Sequence, residues 1–131
     1  MQALLLPLHD DLYALDLTTI REVVPDPEVT PLPGAPAGLL GLFNLRGEVV
    51  PLFDTAWLLG LQAAPAADQV TVADTALGLA GLVSHGRPRR EALGEAAGPA
   101  RLPAAIGRFA VGGAVVATLL DVEDLLERAR V

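Results

Sequence analysis

The chain of 131 residues contains no cysteine, and methionine, tryptophan and tyrosine occur once each. The absence of thiols excludes disulfides, thiolate metal sites and catalysis by a cysteine nucleophile. Lysine is also absent, so the nine basic residues are all arginine, and sixteen acidic residues give a net charge of −7. Because binding to phosphate backbones relies on clustered positive charge, neither nucleic acid nor an anionic membrane is an expected partner.

Long apolar runs are missing as well. The longest, residues 109–117, has nine residues even when glycine is counted as apolar, and a membrane-spanning helix needs roughly 20. No basic residue precedes the leucines at 4–6, so no signal peptide or membrane insertion is expected. With 52% hydrophobic and 19% charged residues, the chain is predicted to fold as one compact unit or two small ones, with no room for further domains.

Alternating apolar residues predict strands in the first half. Leucines alternate over 4–8, two aspartates supply a turn, and apolar residues alternate again over 13–17, which is typical of a β-hairpin. Pro7 cannot donate to a ladder, so this hairpin is expected at a sheet edge. The proline-rich stretch 24–38 predicts a rigid extended loop.

Residues 41–54 predict a second hairpin that turns at Arg46 and Gly47. Asp54 is placed to cap a short helix after it, and residues 62–69 have the composition of a linker.

The second half is less regular. Residues 70–83 predict short strands, and 84–105 predict a long loop with one helical turn. Residues 114–120 predict a buried strand, and 121–130 a short C-terminal helix with an aspartate cap.

A weak internal repeat links the two halves. Both copies run glycine, strand, glycine turn, strand and aspartate-capped helix, which predicts two similar β-subdomains at approximately 1–61 and 69–131 in a single domain. At an offset of 66, the matching residues are Gly41, Phe43, Gly47, Val49 and Val50 with Gly107, Phe109, Gly113, Val115 and Val116.

Candidates for catalysis are few. His9 and His85 stand 76 positions apart in no metal-binding spacing, and no phosphate-binding glycine motif occurs, so no metal, cofactor or catalytic site is predicted. Asp-Thr-Ala occurs at Asp54 and again at Asp74, and resembles the motif of aspartic proteases, in which paired aspartates activate water. Helix capping by Asp54 and a turn at Asp74 are the favoured interpretation. A small homodimeric aspartic protease using Asp54 is the alternative from another class.

Arg46 is the more informative polar residue. The turn requires Gly47 but neither an arginine before it nor Asn44 ahead of that, and Glu22 is the expected acidic partner. A solvated turn arginine is the simpler interpretation, whereas an ion pair, which adds little stability when exposed, would suggest a role in orienting a surface. Four nearby apolar residues are either core or an exposed patch for a protein partner: Ile20, Val23, Leu42 and Val49.

Residues 32–54, LPGAPAGLLGLFNLRGEVVPLFD, closely resemble the signature of the CheW-like domain family of bacterial chemotaxis. Residues 13–24, YALDLTTIREVV, resemble an upstream strand of that family, with Glu22 in its Val-x-Glu element. The resemblance continues more weakly through 78–83 and 115–126.

The resemblance implies an all-β fold of two intertwined, SH3-like, five-stranded barrels with short helices. Members of the family are not enzymes; they link the cytoplasmic tips of chemoreceptors to the regulatory domain of the histidine kinase CheA. We therefore predict a cytoplasmic, non-catalytic adaptor, with a CheW-like adaptor of twitching motility or another kinase pathway as the alternative. The predicted partner-binding residues are Ile20, Glu22, Val23, Gly41, Asn44, Leu45, Arg46, Gly47 and Val49.

Overall fold

The computed structural model describes residues 1–62 and 69–129, so most of the predicted linker lies outside the described residues. This part of the chain forms eleven strands, a 3-10 turn at Leu17–Thr19 and two short helices. The longest helix in it has six residues, and none could cross a bilayer. The strands are β1 (Gln2–Leu8), β2 (Asp11–Asp16), β3 (Ile20–Pro25), β4 (Leu39–Leu45), β5 (Glu48–Phe53), β6 (Gln69–Thr75), β7 (Gly78–Ser84), β8 (Arg89–Ala92), β9 (Ala96–Gly98), β10 (Ala105–Ala110) and β11 (Val116–Leu120), and the helices are α1 (Thr55–Leu58) and α2 (Val122–Glu127).

Two sheets contain these strands. The terminal sheet, drawn from both ends of the chain, has six strands in the order β8-β1-β2-β11-β10-β9. The central sheet, built from residues 20–84, has five in the order β3-β6-β7-β5-β4. Neighbouring strands are antiparallel except for β2 beside β11 and β5 beside β7. The terminal sheet therefore has one strand more than the five predicted, because β9 adds to the edge of β10.

Each sheet curls into a barrel because a segment that follows one edge strand returns to pair near the opposite edge. In the central barrel, Thr30 follows β3 and exchanges two backbone hydrogen bonds with Leu42 of β4, at 2.8 and 2.9 Å. In the terminal barrel, Gly94 follows β8 and donates to the carbonyl of Ala110 at 2.7 Å, and Ala110 donates to that of Glu95 at 2.9 Å. These contacts shorten the free strand edges that would otherwise be open to unwanted pairing.

The internal repeat is visible as two matching units. β4–β5–α1 and β10–β11–α2 are both hairpins followed by a helix, with Asp54 and Asp121 as the N-caps. β1–β2 and β6–β7 form a second pair of matching hairpins. Each repeat places this hairpin in one sheet and its remaining strands in the other, so both repeats contribute to both sheets. The subdomain boundaries at 61 and 69 stay a prediction.

Three clusters of buried side chains form the core. One fills the terminal barrel and includes Leu5 and Leu119, and another fills the central barrel and includes Val50 and Val72. The third lies between the sheets, where both helices pack, and it includes Leu6, Leu15, Leu58, Leu82 and Leu125. Because β1 sends alternate side chains into two different clusters, its leucines are buried on both faces.

The prediction that the first hairpin lies at a sheet edge is wrong. β1 pairs with β2 on one side and with β8 on the other. The pairing with β8 ends at Leu5, and beyond it the carbonyl of Pro7 accepts a hydrogen bond from the backbone N–H of His85 at 2.9 Å. Since the N–H and C=O of a strand residue point to the same side, the donor that Pro7 lacks faces the side where β8 has already ended.

The prediction of a loop with one helical turn over 84–105 is also wrong. This segment contains the short strands β8 and β9 and, within the described residues, no helix. Their side chains are mostly exposed, so no apolar alternation marks them in the sequence. Pairing with β1 and β10 holds them in place, and such context often outweighs intrinsic strand preference.

Candidate partner-binding surface

The β4–β5 hairpin turns at Arg46 and Gly47, with Leu45 opposite Glu48. Arg46 has φ +50° and Gly47 has φ +90°. Two successive left-handed residues are typical of a type I′ turn, whose twist matches that of the flanking strands. The side-chain oxygen of Asn44 accepts a hydrogen bond from the N–H of Gly47 at 2.9 Å, which helps to hold the turn. The local sequence therefore presents Arg46 at the tip of a rigid hairpin.

Glu22 on β3 accepts two hydrogen bonds from the guanidinium of Arg46. Nη2 of Arg46 donates to Oε2 of Glu22 at 2.8 Å, and Nη1 donates to Oε1. This two-pronged geometry orients the planar guanidinium more strictly than a single contact would. The side chain of Arg46 is 75% exposed and that of Glu22 is 24% exposed. The ion pair, which the sequence offered as the alternative to a solvated turn arginine, is thus present, with its arginine facing solvent.

The pair changes the acidity of both groups. The hydrogen bond from Arg46 is the largest influence and lowers the pKa of Glu22 below its ordinary value. Desolvation opposes this shift, and the charges of Arg46 and Arg21 add to it. The same hydrogen bond, followed by the charge of Glu22, raises the pKa of Arg46. Both groups are therefore held in their charged forms.

A second set of charges lies next to this pair. Arg21 forms ion pairs with Asp74 of β6 at 3.0 Å and with Glu48 at the start of β5 at 3.8 Å. The ladder between β3 and β6 is irregular between Ile20 and Glu22, so Arg21 occupies a bulge. β3 is an edge strand of the central sheet. Arg21 and Glu22 therefore both tie that edge to the β4–β5 turn.

An apolar area borders the charges. Val49 lies opposite Asn44 in the hairpin and is 66% exposed. Leu42 is half-buried, and a groove of about 590 Å³ between β3 and β4 is lined in part by Val24, Leu42 and Val49. Ile20 and Val23 are half-buried and pack against the cluster between the sheets. Exposed apolar surface beside oriented charges is the composition expected of a protein-binding surface.

The nine predicted residues are not equally accessible. Asn44, Arg46, Gly47 and Val49 are exposed, and Gly41 is buried. A Cβ at Gly41 would lie 2.4 Å from the carbonyl oxygen of Thr30, so glycine is required there for barrel closure. We call the exposed residues of the hairpin (Asn44, Arg46, Gly47 and Val49) together with Glu22 the candidate surface. Half-buried positions are Ile20, Glu22, Val23 and Leu45.

Sequence reasoning missed several neighbours of the candidate surface. Arg21 and Glu48 each lie next to a predicted residue in the sequence, and their opposite charges were the feature that could have identified them. The groove residues Val24, Pro27 and Thr30 carried no such signal, because only the return of the chain to β4 brings them there.

The aspartates considered for catalysis have structural roles. Asp54 caps α1 by accepting a hydrogen bond from the N–H of Trp57 at 3.1 Å, as the favoured interpretation predicted. Asp74 lies on β6 rather than in the turn after it, and pairs with Arg21. Within residues 1–62 and 69–129, no group of three or more histidine or acidic side chains is arranged to hold a metal ion.

Comparison with known proteins agrees with this architecture. The family model for the CheW-like domain matches residues 2–130. The chemotaxis protein CheW of Treponema pallidum is 40% identical over 47 residues, which are 36% of this chain and 28% of that protein. The chemotaxis protein CheW of Rhizobium meliloti is 40% identical over 55 residues, 42% of this chain and 36% of that protein. The matched segments thus span well under half of each relative.

A solved structure matches over a longer range. The crystal structure of the scaffolding protein TtCheW from Thermoanaerobacter tengcongensis has a TM-score of 0.82 and 19% identity, covering 96% of this chain and 92% of that one. The likeness shows that the two barrels are the SH3-like subdomains of this fold. With a family model that spans almost its entire length, the chain belongs to the CheW-like domain family.

Proposed function

We propose that the chain is a non-catalytic adaptor that couples the cytoplasmic tips of chemoreceptors to the regulatory domain of the histidine kinase CheA. The CheW-like domain is a scaffold module without catalytic activity, and it acts here in the cytoplasm. The observation that carries the proposal is the pairing of Glu22 with an exposed Arg46 beside the exposed Val49.

The geometry suits protein recognition. Glu22 uses only part of the hydrogen-bonding capacity of the guanidinium, so donors of Arg46 stay available to a partner. The ion pair and the rigid turn reduce the side-chain freedom that binding would otherwise remove. Arginine is also enriched among the residues that dominate binding energy at interfaces. The candidate surface therefore combines an oriented cation with apolar area.

A binding experiment tests the proposal. The full chain and Arg46→Glu are titrated by calorimetry against the CheA regulatory domain and against a receptor cytoplasmic fragment from the same genome. We expect the wild-type chain to bind both partners. Arg46→Glu should weaken at least one complex by about tenfold or more, as for other arginines that dominate an interface.

Two further variants separate contact from folding. Arg101→Glu makes the same charge change at an exposed loop position between β9 and β10 and should keep wild-type affinity. The double variant Glu22→Arg with Arg46→Glu can re-form an ion pair but presents the opposite charge, so it should bind as weakly as Arg46→Glu. Full recovery of binding would limit Arg46 to a structural role. Failure of the wild-type chain to bind either partner would contradict the chemotaxis assignment and favour another kinase pathway.

A further inference from the structure

The fold brings the two histidines of the chain together. His9 lies in the β1–β2 turn and His85 directly follows β7, yet their ring centroids are 5.8 Å apart with an interplanar angle of 74°. The hydrogen bond from the N–H of His85 to the carbonyl of Pro7 fixes the two backbones next to each other. Two imidazoles bound to one tetrahedral ion at normal zinc–nitrogen distances have centroids about 5 to 6 Å apart.

One ring nitrogen of His9 already makes a hydrogen bond. Its Nε2 lies 2.7 Å from the carbonyl oxygen of Gln62. Because a carbonyl oxygen only accepts, Nε2 must carry the hydrogen, and in the neutral ring Nδ1 then holds the lone pair. Histidines that bind metals usually donate their other ring N–H to a carbonyl or carboxylate in this way, since that contact fixes the tautomer and the ring orientation.

His85 supplies the second nitrogen. Its Nε2 is buried and has no hydrogen-bond partner among the described residues. A buried polar atom without a partner costs free energy, so such atoms in native proteins call for an explanation, of which a bound ion is one. His9 itself is exposed, which leaves an entry path for a solvated ion.

We propose that His9 and His85 form a binding site for a late first-row divalent transition-metal ion such as Zn²⁺, with Nδ1 of His9 and Nε2 of His85 as donors. Imidazole pairs favour zinc, copper and nickel over calcium or magnesium, which require oxygen ligands. Water completes the coordination. The ion links the β1–β2 turn of the terminal sheet to the end of β7 in the central sheet. This site is independent of the proposed adaptor function.

Isothermal titration with ZnCl₂ tests the site on the full chain without any affinity tag. We expect about one ion per chain, and His9→Ala and His85→Ala should each weaken binding by about tenfold or more. The matched control is Gln62→Ala, which keeps the backbone carbonyl that His9 contacts and should bind as the wild type does. Equal Zn²⁺ affinity in the wild type and in the double histidine variant would overturn the proposal.

A second measurement needs no variant. Sub-stoichiometric Cu²⁺ should broaden the imidazole C–H proton signals of both histidines together in the NMR spectrum of the wild-type chain, because both rings contact one paramagnetic ion. Broadening of a single ring, or of neither, would show that the two do not share an ion and would overturn the proposal even if the alanine variants fail to fold.

Discussion

Arg46 adopts a backbone conformation that most residues avoid. Its φ of +50° lies in the left-handed region, which is unfavourable for a residue with a Cβ. Asn or Gly would suit the position better on local grounds. The side chain of Arg46 pairs with Glu22 of β3. A locally unfavourable residue at an exposed tip is a common mark of function.

The lowered pKa of Glu22 makes one contribution to stability depend on pH. The folded-state pKa lies below the ordinary value of 4.5, so the contribution is fully present above pH 4.5 and is lost as the pH falls through the folded-state pKa. We expect Glu22→Gln to unfold at lower denaturant concentration than the wild type at pH 7. The difference should shrink progressively below pH 4.5.

Urea unfolding of both proteins between pH 7 and pH 3 checks this expectation. Glu95→Gln is the control, because Glu95 is exposed and its carboxylate joins none of the ion pairs found in residues 1–62 and 69–129. A difference between wild type and Glu22→Gln that stays constant down to pH 3 would contradict the assigned role of the ion pair.

At the scale of elements, an equivalent glycine in each repeat has different surroundings. Gly41 of β4 and Gly107 of β10 are equivalent in the repeat and both are buried. A Cβ on Gly41 would meet the backbone of Thr30 at 2.4 Å, whereas a Cβ on Gly107 would first meet the ring of Phe109 at 3.6 Å. Of these two equivalent positions, only Gly41 therefore lies at a close approach that requires glycine.

We expect Gly41→Ala to lower the free energy of unfolding by about 1 to 3 kcal/mol, because the segment that closes the barrel must move away from β4. Gly107→Ala should leave stability unchanged or raise it by up to about 1 kcal/mol, since alanine fits there and restricts the unfolded chain. Urea denaturation of both variants provides the comparison. Equal losses of stability in Gly41→Ala and Gly107→Ala would contradict the conclusion that the close approach requires glycine at Gly41 but not at Gly107.

The elements also differ in how well the sequence predicts them. The β4–β5 hairpin and α1 have local signals, namely apolar alternation, a glycine turn and the Asp54 cap, and the structure confirms them. β8 and β9 have none, because their residues are mostly exposed and their hydrogen-bond partners come from distant strands. An exposed edge strand is held by its backbone ladder, which leaves little trace in side-chain pattern.

At the scale of the whole molecule, the exchange of strands couples the two barrels. β1 and β2 belong to the terminal sheet while β3, β4 and β5 belong to the central one, although all five lie in the first repeat. Both helices and strands of both sheets share the buried cluster between them. Each repeat therefore lacks some of the partners with which its strands pair in the folded chain.

We expect the full chain to unfold in one cooperative transition, with calorimetric and van't Hoff enthalpies that agree. A fragment of residues 1–62 should lack β structure by circular dichroism, because its strands would be left without β6, β7, β8 and β11. A fragment of residues 18–86 contains every strand of the central sheet, and its circular dichroism is compared with that of the 1–62 fragment. Two separate thermal transitions, or a folded 1–62 fragment, would contradict this account.

The sequence by itself determined the β-rich class, the two hairpins with aspartate-capped helices and the turn at Arg46, and it offered Glu22 as a candidate partner whose pairing only the folded structure decided. These features depend on local periodicity, on caps and turns of a few residues, and on a strong family resemblance. Only the tertiary structure decided which strands share a sheet, that β1 is buried on both faces, and that His9 meets His85. The physical reason is that strand pairing and ring contacts join residues distant in the chain, and the free energy of such contacts depends on neighbours that no local pattern specifies.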